Sequence, residues 1–210
     1  MFKNKGICLS SKHGNISKNK GFTLLELMIV LAILAIGVAL AVPSYSDVMQ
    51  RRETTAQAED LVTFVSYAQS EAVKFNEMIS VHLTYTDKDN WCMGANEGSA
   101  PCDCTETNPA ATNYCSLNGV TKIIDSSEQT KSSITAASTD KTLVFDPIRG
   151  TMAVADLGTS HGVTLGSDNG NWLLQVDVGA TGRTRICNPD STKAVPGYKS
   201  CPVVGVRPIR

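Results

Sequence analysis

The longest apolar run in the chain begins at Leu24 and ends at Val42, with Glu26 as its only charged residue. As an α-helix this run is about 28 Å long, close to the hydrocarbon thickness of a bilayer. It therefore predicts a helix that spans a membrane. Pro43 follows directly and removes one helical hydrogen bond, so we expect a kink or a local break there.

A second helical segment is predicted for residues 44–78. Its apolar residues recur at intervals of three and four, which is the period of one helix face. They are Ala58, Leu61, Val65, Ala68, Ala72 and Phe75. This face needs a sheet or another subunit to cover it, so we expect it to pack in a core.

The segment after this helix has the two-residue period of a strand with one buried face. Apolar side chains from Ile79 to Tyr85 alternate with polar ones, and His82 falls on the polar side as an ordinary surface residue. Further strands, bounded by glycine and proline, are predicted at Lys141–Asp146, Thr151–Ala155, Gly162–Leu165, Trp172–Val178 and Arg183–Cys187.

Two polar stretches are predicted to lack regular structure. Asn90–Asn118 contains four cysteines and little periodicity, so we expect a surface excursion held by disulfides. Ser126–Asp140 is expected to be a loop. The whole pattern predicts an α+β fold, in which a long N-terminal helix packs on an antiparallel β-sheet head with disulfide-bridged loops.

Charges are segregated along the chain. Residues 1–21 hold five lysines and no acid, and residues 183–210 hold six basic residues against one acid. The part between them is acidic. The positive-inside tendency keeps the basic leader in the cytoplasm and places everything after Val42 outside.

The cysteines agree with this orientation. Cys8 lies in the leader, and an even six follow the apolar run, which predicts disulfides in an oxidising compartment. Cys102 and Cys104 are too close in sequence to bridge each other easily, so each is expected to take a partner from Cys92 and Cys115. Cys187 is then expected to bond Cys201.

No catalytic constellation is present in the sequence. It has no GxSxG elbow, Walker loop or HExxH motif, and its acids are dispersed. His13, His82 and His161 are scattered and no CxxC pair exists, so we expect no metal and no cofactor. An enzyme is therefore not expected.

The segment KGFTLLELMIVLAILAIGVALAVPSY resembles the N-terminus of type IV pilins and type II secretion pseudopilins. The resemblance implies that prepilin peptidase cuts between Gly21 and Phe22, that the new amine of Phe22 is methylated, and that Glu26 pairs with the amine of a neighbouring subunit. A carboxylate in hydrocarbon costs roughly 3 kcal/mol and persists where it finds a cation. The resemblance implies that this cation is the amine of the neighbouring subunit.

The resemblance also implies the type IV pilin fold and a location. Residues 1–21 would be a cleaved leader, 22–43 a transmembrane and filament-core helix, 44–78 an amphipathic helix, and 79–210 a β-rich head. The protein would be a single-pass inner-membrane protein with a periplasmic head before assembly, and part of a cell-surface pilus afterwards. Its partners would be prepilin peptidase and other major and minor pilins.

A narrower resemblance is to the GspH/FimT group of minor pilins. The segment AEDLVTFVSYAQSEAVKFNEMISV is similar to that group's helix, although Gln69 replaces the usual arginine of an "ARSEA" segment. Leu143–Gly150 and Gly182–Arg185 also resemble head segments of the group. This indicates a minor pilin near the pilus tip that supports pilus assembly and twitching motility.

In FimT members, a GRxR motif resembles a DNA-binding element of natural transformation, and Gly182, Arg183 and Arg185 match it. On a strand, the two arginines would face one side about 6.6 Å apart, where guanidinium forks suit phosphate. A Cys187–Cys201 bridge would hold Lys193 and Lys199 beside them, and Tyr198 would stack on a base. With Arg207, these residues predict binding of double-stranded DNA without sequence preference.

Two alternatives stand beside this interpretation. In the first alternative, the arginines lie at a hairpin turn and serve only to solvate an edge strand or to face an acidic neighbouring subunit. The whole chain would instead be a GspH-like pseudopilin of a type II secretion system, which exports folded proteins.

Overall fold

The computed structural model describes residues 21–87, 89–127, 132–134, 141–153 and 161–202, without the side chains of residues 40–44, 132 and 133. The leader lysines, Cys8, Arg207 and Arg210 lie outside the described residues. The chain divides into two compact units, Met1–Pro43 and Ser44–Arg210.

One helix, α1, runs from Leu24 to Phe75. Helical backbone continues through Pro43, so the local break predicted there is wrong: one missing hydrogen bond does not end a helix whose neighbouring turns stay bonded. The helix ends three residues before the predicted boundary. Asn76 adopts a φ of 53°, and the Glu77 N–H donates to the Ala72 carbonyl at 3.2 Å, which is a left-handed C-terminal cap.

In the first unit, Thr23 caps the helix, and the large apolar side chains from Leu24 to Val38 are exposed. The sequence predicted a membrane span here. Among the described residues, no helix reaches the combination of length and hydropathy that marks a membrane-crossing segment.

In the described part of the second unit, ten strands form two four-stranded antiparallel sheets and one small hairpin. The first sheet has the order β5-β2-β1-β7, from Ile123–Asp125, Asn90–Glu97, Ile79–Asp87 and Lys141–Phe145. The second has the order β10-β9-β8-β6, from Thr184–Cys187, Leu173–Val178, His161–Ser167 and Ser132–Ile134. The hairpin pairs β3, Ser116–Leu117, with β4, Val120–Thr121.

The predicted loops contain strands. β2 lies in the expected surface excursion and is an inner strand, paired with β1 and β5. Its Trp91, Met93 and Ala95 join the core, but Cys92 and Gly94 alternate with them, so the usual apolar-polar contrast is missing. β6 lies in the second predicted loop, and the only described pairing of Thr151–Ala155 is an isolated bridge at Met152.

The core lies between α1 and the sheets. Residues of the predicted helix face from Ala58 to Ala72 are buried against both sheets, with Phe145 fully buried between them. Phe75 is an exception, because the helix ends there and its ring is 46% exposed beneath the Lys74 ammonium. The expected α+β fold, with a long helix on antiparallel sheets and disulfides in the loops, is confirmed.

Three disulfides hold the loops, as predicted. Their pairs are Cys92–Cys104, Cys102–Cys115 and Cys187–Cys201. The first two settle the alternative that the sequence left open. Gly94 on β2 lies directly against the Cys102–Cys115 bridge, where an added Cβ would meet both sulfurs.

A buried hydroxyl joins the first sheet to the loop above it. The Ser80 hydroxyl donates to the Ala100 carbonyl at 2.6 Å and also contacts the Asn96 side-chain oxygen. We expect Ser80→Ala to lower the free energy of unfolding by about 1 kcal/mol, because these buried acceptors lose a donor. Urea denaturation of the processed chain in mild detergent measures this. Ser70→Ala, at an exposed helix position, is the control and should change stability by less than ~0.5 kcal/mol.

Candidate functional site

The predicted assembly residues lie at the start of α1. Gly21 and Phe22 precede the helix, and Phe22 is exposed. The Glu26 backbone N–H donates to the Thr23 hydroxyl at 3.1 Å, so Thr23 and Glu26 have the spacing of a helix capping box. An acid in the first turn also suits the helix dipole. Sequence analysis missed this local role, although Thr-x-x-Glu is its usual signal.

The GRxR segment forms a tight turn between β9 and β10. The Gly182 N–H donates to the Gly179 carbonyl at 2.8 Å, and the Gly179 N–H donates to the Arg183 carbonyl at 3.0 Å. Gly182 has a φ of 76°, a conformation that favours glycine. β10 begins at Thr184, so Arg183 belongs to the turn and not to the strand.

Arg185 is held by a buried acid that sequence analysis did not single out. Its Nε and Nη2 both donate to Asp177 Oδ2, the first at 2.9 Å, and Asp177 is only 4% exposed. The two residues are direct neighbours across β9 and β10. The prediction that Arg183 and Arg185 present two free forks on one strand face is therefore wrong. An aspartate inside the apolar strand Leu173–Val178 was the available signal.

A lysine lies close to the same pair. Lys141 donates from Nζ to the Gly162 carbonyl at 2.9 Å, and Gly162 is the neighbour of Asp177 on the other side. Partial burial lowers the pKa of Lys141, while the Asp177 charge opposes that change. Asp177 therefore stabilises the second sheet, and its negative charge leaves no open site for another anion beside it.

Gly182 also packs against a second turn. The Gln69 amide donates from Nε2 to the Gly150 carbonyl at 2.6 Å, and a Cβ on Gly182 would overlap that carbonyl oxygen and the Gln69 Nε2. We call Gln69, Gly150 and Gly182 the turn junction. The glutamine that replaces the usual arginine is therefore a structural donor at this point.

Two exposed arginines flank the turn junction. Arg149 directly precedes Gly150, and Arg183 directly follows Gly182. Neither forms an ion pair with any residue that the structure describes. The Asp146 carboxylate accepts the Ile148 and Arg149 N–H groups at 2.9 and 3.1 Å, which fixes the backbone of the first turn. Sequence analysis missed Arg149, because it is 34 residues from Arg183.

The remaining predicted cations lie on the loop closed by Cys187–Cys201. Asn188 organises this loop by donating to the carbonyls of Val195 and Tyr198 at 3.1 and 2.7 Å. Lys193 and Lys199 are exposed on it. The Thr192 N–H and hydroxyl donate to the Asp190 carboxylate and lower its pKa. These hydrogen bonds tighten the short helical turn Ser191–Lys193.

This loop contacts α1 away from the turn junction. The Tyr198 hydroxyl donates to Glu59 at 3.4 Å, and burial together with Glu59 raises the pKa of Tyr198. A groove of about 630 Å³ lies between them, lined also by Arg51 and Arg52. Glu59 and Gln69 are ten residues apart on the helix, about 15 Å. The Tyr198 side of this loop therefore lies along α1 from the turn junction, whereas the Lys199 carbonyl accepts from the Asn188 N–H directly after β10.

Two family profiles match the chain. The profile described as "Prokaryotic N-terminal methylation motif" matches residues 16–42, and the profile described as "Type II transport protein GspH" matches residues 57–182. The second covers more than half of the chain. Together they contain the Gly21–Glu26 segment, both sheets up to β9, and the turn junction.

Curated relatives are fimbrial and pilin proteins. A fimbrial protein of Pseudomonas aeruginosa is 39% identical over 61 residues, which are 29% of this chain and 40% of that protein. The type IV wide pilus major component PilA4 of Thermus thermophilus is 32% identical over 103 residues, which are 48% of this chain and 72% of that protein. The chain thus spans less than half of the first relative and nearly three quarters of the second.

A minor pilin of known structure gives a partial match. The type IV minor pilin FimU of Pseudomonas aeruginosa is 19% identical, with a TM-score of 0.42, covering 70% of this chain and 96% of that one. From the two family profiles and the pilin relatives, we conclude that the chain belongs to the GspH family of type IV pilin-like proteins, which are non-enzymatic subunits made as membrane-anchored precursors.

Proposed function

We propose that the protein is a minor type IV pilin, incorporated near the tip of the pilus to support its assembly. It begins as a single-pass inner-membrane protein with a periplasmic head, is cut between Gly21 and Phe22, is methylated at Phe22, and then joins the cell-surface filament. The observation that carries this is the methylation motif at the start of a helix whose large apolar side chains are exposed. Such a surface needs other apolar helices to cover it.

Glu26 is the residue on which this assembly depends. We propose that its carboxylate pairs with the methylated amine of a neighbouring pilin, which sets the register between packed helices. The relative PilA4, a pilus component, supports assembly with pilins as the partner class. The local cap by Thr23 does not require a charged Glu26, because the Thr23 hydroxyl accepts from a backbone N–H.

We expect Glu26→Gln to reduce incorporation into sheared pili at least tenfold, while leader cleavage and membrane levels of the chain are unchanged. The amide keeps the side-chain shape but loses the charge that the pairing needs. Immunoblots of sheared pili and of membranes measure the two quantities. Thr23→Val is the matched control: it costs about 1 kcal/mol of capping but keeps the charge. Normal incorporation of the Glu26→Gln chain would refute the proposed pairing.

We further propose that the head binds extracellular double-stranded DNA through backbone phosphates, without sequence preference, during natural transformation. The exposed Arg183, free of any described ion pair, supports this. Binding should weaken steeply with salt, because each phosphate contact releases counterions. Gel shifts with two unrelated duplexes at low and high salt test it. Equal affinity at both salt concentrations would contradict phosphate contact.

A second candidate function is protein export as a pseudopilin, since the matching family is named for type II transport. Deletion of the protein distinguishes the two. A minor pilin predicts lost piliation, twitching and transformation with normal exoprotein secretion. A pseudopilin predicts the opposite result.

A further inference from the structure

We propose that Arg149, and not Arg185, is the second phosphate-contacting arginine, and that it acts together with Arg183 across the turn junction. This inference rests on the proposed DNA binding and assigns its residues. The motif in the sequence pairs Arg183 with Arg185, whereas the fold pairs it with a residue from a different turn.

Arg185 is unsuited to contact a phosphate because its guanidinium is already paired with Asp177. Two of its nitrogens donate to a single oxygen of Asp177, which is almost completely buried. If Arg185 turned towards a phosphate, this carboxylate would lose its fork-shaped partner in a buried position, which is unfavourable. Its negative charge would also repel the phosphate. Arg185 therefore stabilises the β9–β10 pair.

Arg149 differs from Arg185 in its charge partners. It is exposed, and the described part of the chain offers it no acid in an ion pair. Asp146, three residues earlier in the chain, accepts from the backbone N–H groups of Ile148 and Arg149. The Gly150 N–H also donates to the Asp146 carbonyl at 2.9 Å. The backbone below the Arg149 side chain is thus fixed while its guanidinium is available.

The turn junction brings the backbones that carry the two arginines into contact. Gly182 packs so closely on the Gly150 carbonyl that no side chain fits between the turns, and Gln69 anchors that carbonyl to α1. Arg149 and Arg183 leave the junction from the adjoining residues. Two preorganised guanidinium groups on touching turns suit the phosphates of a nucleic acid backbone, because little backbone ordering is needed on binding.

The experiment uses the full processed chain in mild detergent and a short labelled DNA duplex, titrated over a salt series by fluorescence anisotropy. The variants are Arg149→Gln, Arg183→Gln and Arg185→Gln. Arg52→Gln, an exposed arginine beside the distant groove, controls for loss of one positive charge elsewhere. Circular dichroism and thermal melting confirm that each variant is folded at the titration temperature.

We expect Arg149→Gln and Arg183→Gln each to reduce the slope of log K against log salt by about 0.9, the value for one phosphate contact. Arg149→Lys should keep most of the slope, because the charge remains. Arg185→Gln should melt at a lower temperature but bind DNA with an unchanged slope. Arg52→Gln should change neither the slope nor the melting temperature.

Three results would overturn the inference. If the wild-type chain shows no salt-dependent binding, the proposed DNA-binding function fails and this assignment fails with it. If the wild type binds but Arg149→Gln matches it in affinity and slope, only the assignment of Arg149 is wrong. A folded Arg185→Gln chain with a reduced slope would return the role to Arg185.

Discussion

Replacing Gly182 by alanine is expected to lower the free energy of unfolding by about 3 kcal/mol, the largest effect of any change proposed for this protein. Two costs combine at this position. A non-glycine residue at a φ of 76° is strained, and its Cβ would overlap the Gly150 carbonyl and the Gln69 amide. Chemical denaturation of the processed chain in detergent measures the loss.

Gly170→Ala provides a matched control for this prediction. Gly170 has a similar φ of 68°, but nothing lies within 4 Å of an added Cβ. It should therefore cost only the backbone strain, about 1 kcal/mol. The difference between the two variants isolates the crowding at the turn junction. Equal losses at both positions would mean that the two turns do not pack as closely as described.

The second large effect is expected at Arg185. Arg185→Ala should lower the free energy of unfolding by about 2 kcal/mol, because it leaves the buried Asp177 carboxylate without its guanidinium partner. The loss is smaller than for a fully buried pair, since the Arg185 side chain is half exposed. Thermal and urea denaturation of the same preparation measure it.

A double-mutant cycle with Asp177→Asn separates pairing from packing. If the pair interacts as the structure describes, Asp177→Asn should make the chain much less sensitive to Arg185→Ala, with a coupling of about 1–2 kcal/mol. Additive losses would show that Arg185 stabilises the head by packing alone. Arg183→Ala is the control, because it has no described ion pair and should change stability little.

These two predictions bear on function as well as stability. A GRxR motif read only as a sequence assigns its glycine and both arginines to DNA. In the structure, Gly182 sets the approach of two turns and Arg185 donates to one oxygen of a buried acid. A loss of DNA binding in Gly182 or Arg185 variants therefore has to be compared with their stability before either residue is assigned to the contact.

Much of the fold was predictable from periodicity. The buried helix face and β1 were found because apolar residues recur with the period of one face. The strands near Lys141, Gly162 and Trp172 were found because glycine and proline bound them. β2 was missed because Cys92 and Gly94 occupy the outward positions of the strand, where polar residues normally mark the alternation. Gly94 is buried against the Cys102–Cys115 bridge and Cys92 is bonded to Cys104, contacts that no local pattern reveals.

The disulfides, too, were predicted in part from the sequence and decided in part by the fold. An even number of cysteines beyond the apolar run predicted the bridges, and pairing the other four with each other left Cys187 to bond Cys201. The choice between Cys92–Cys104 with Cys102–Cys115 and its alternative needed the fold. Cys92 and Gly94 both lie on β2, and Gly94 packs on the Cys102–Cys115 bridge. The pairing therefore follows from the position of the loop above β2.

The sequence by itself determined the class of the protein, because the Gly21–Phe22–Glu26 arrangement and the long apolar helix are local features that depend on residue order alone. The candidate site depended on contacts between distant segments. Only the tertiary structure brought the turns of Arg149 and Arg183 together, placed Asp177 opposite Arg185, and set Tyr198 against Glu59. Such pairings arise from how sheets and helix pack, so no local pattern in the chain encodes them.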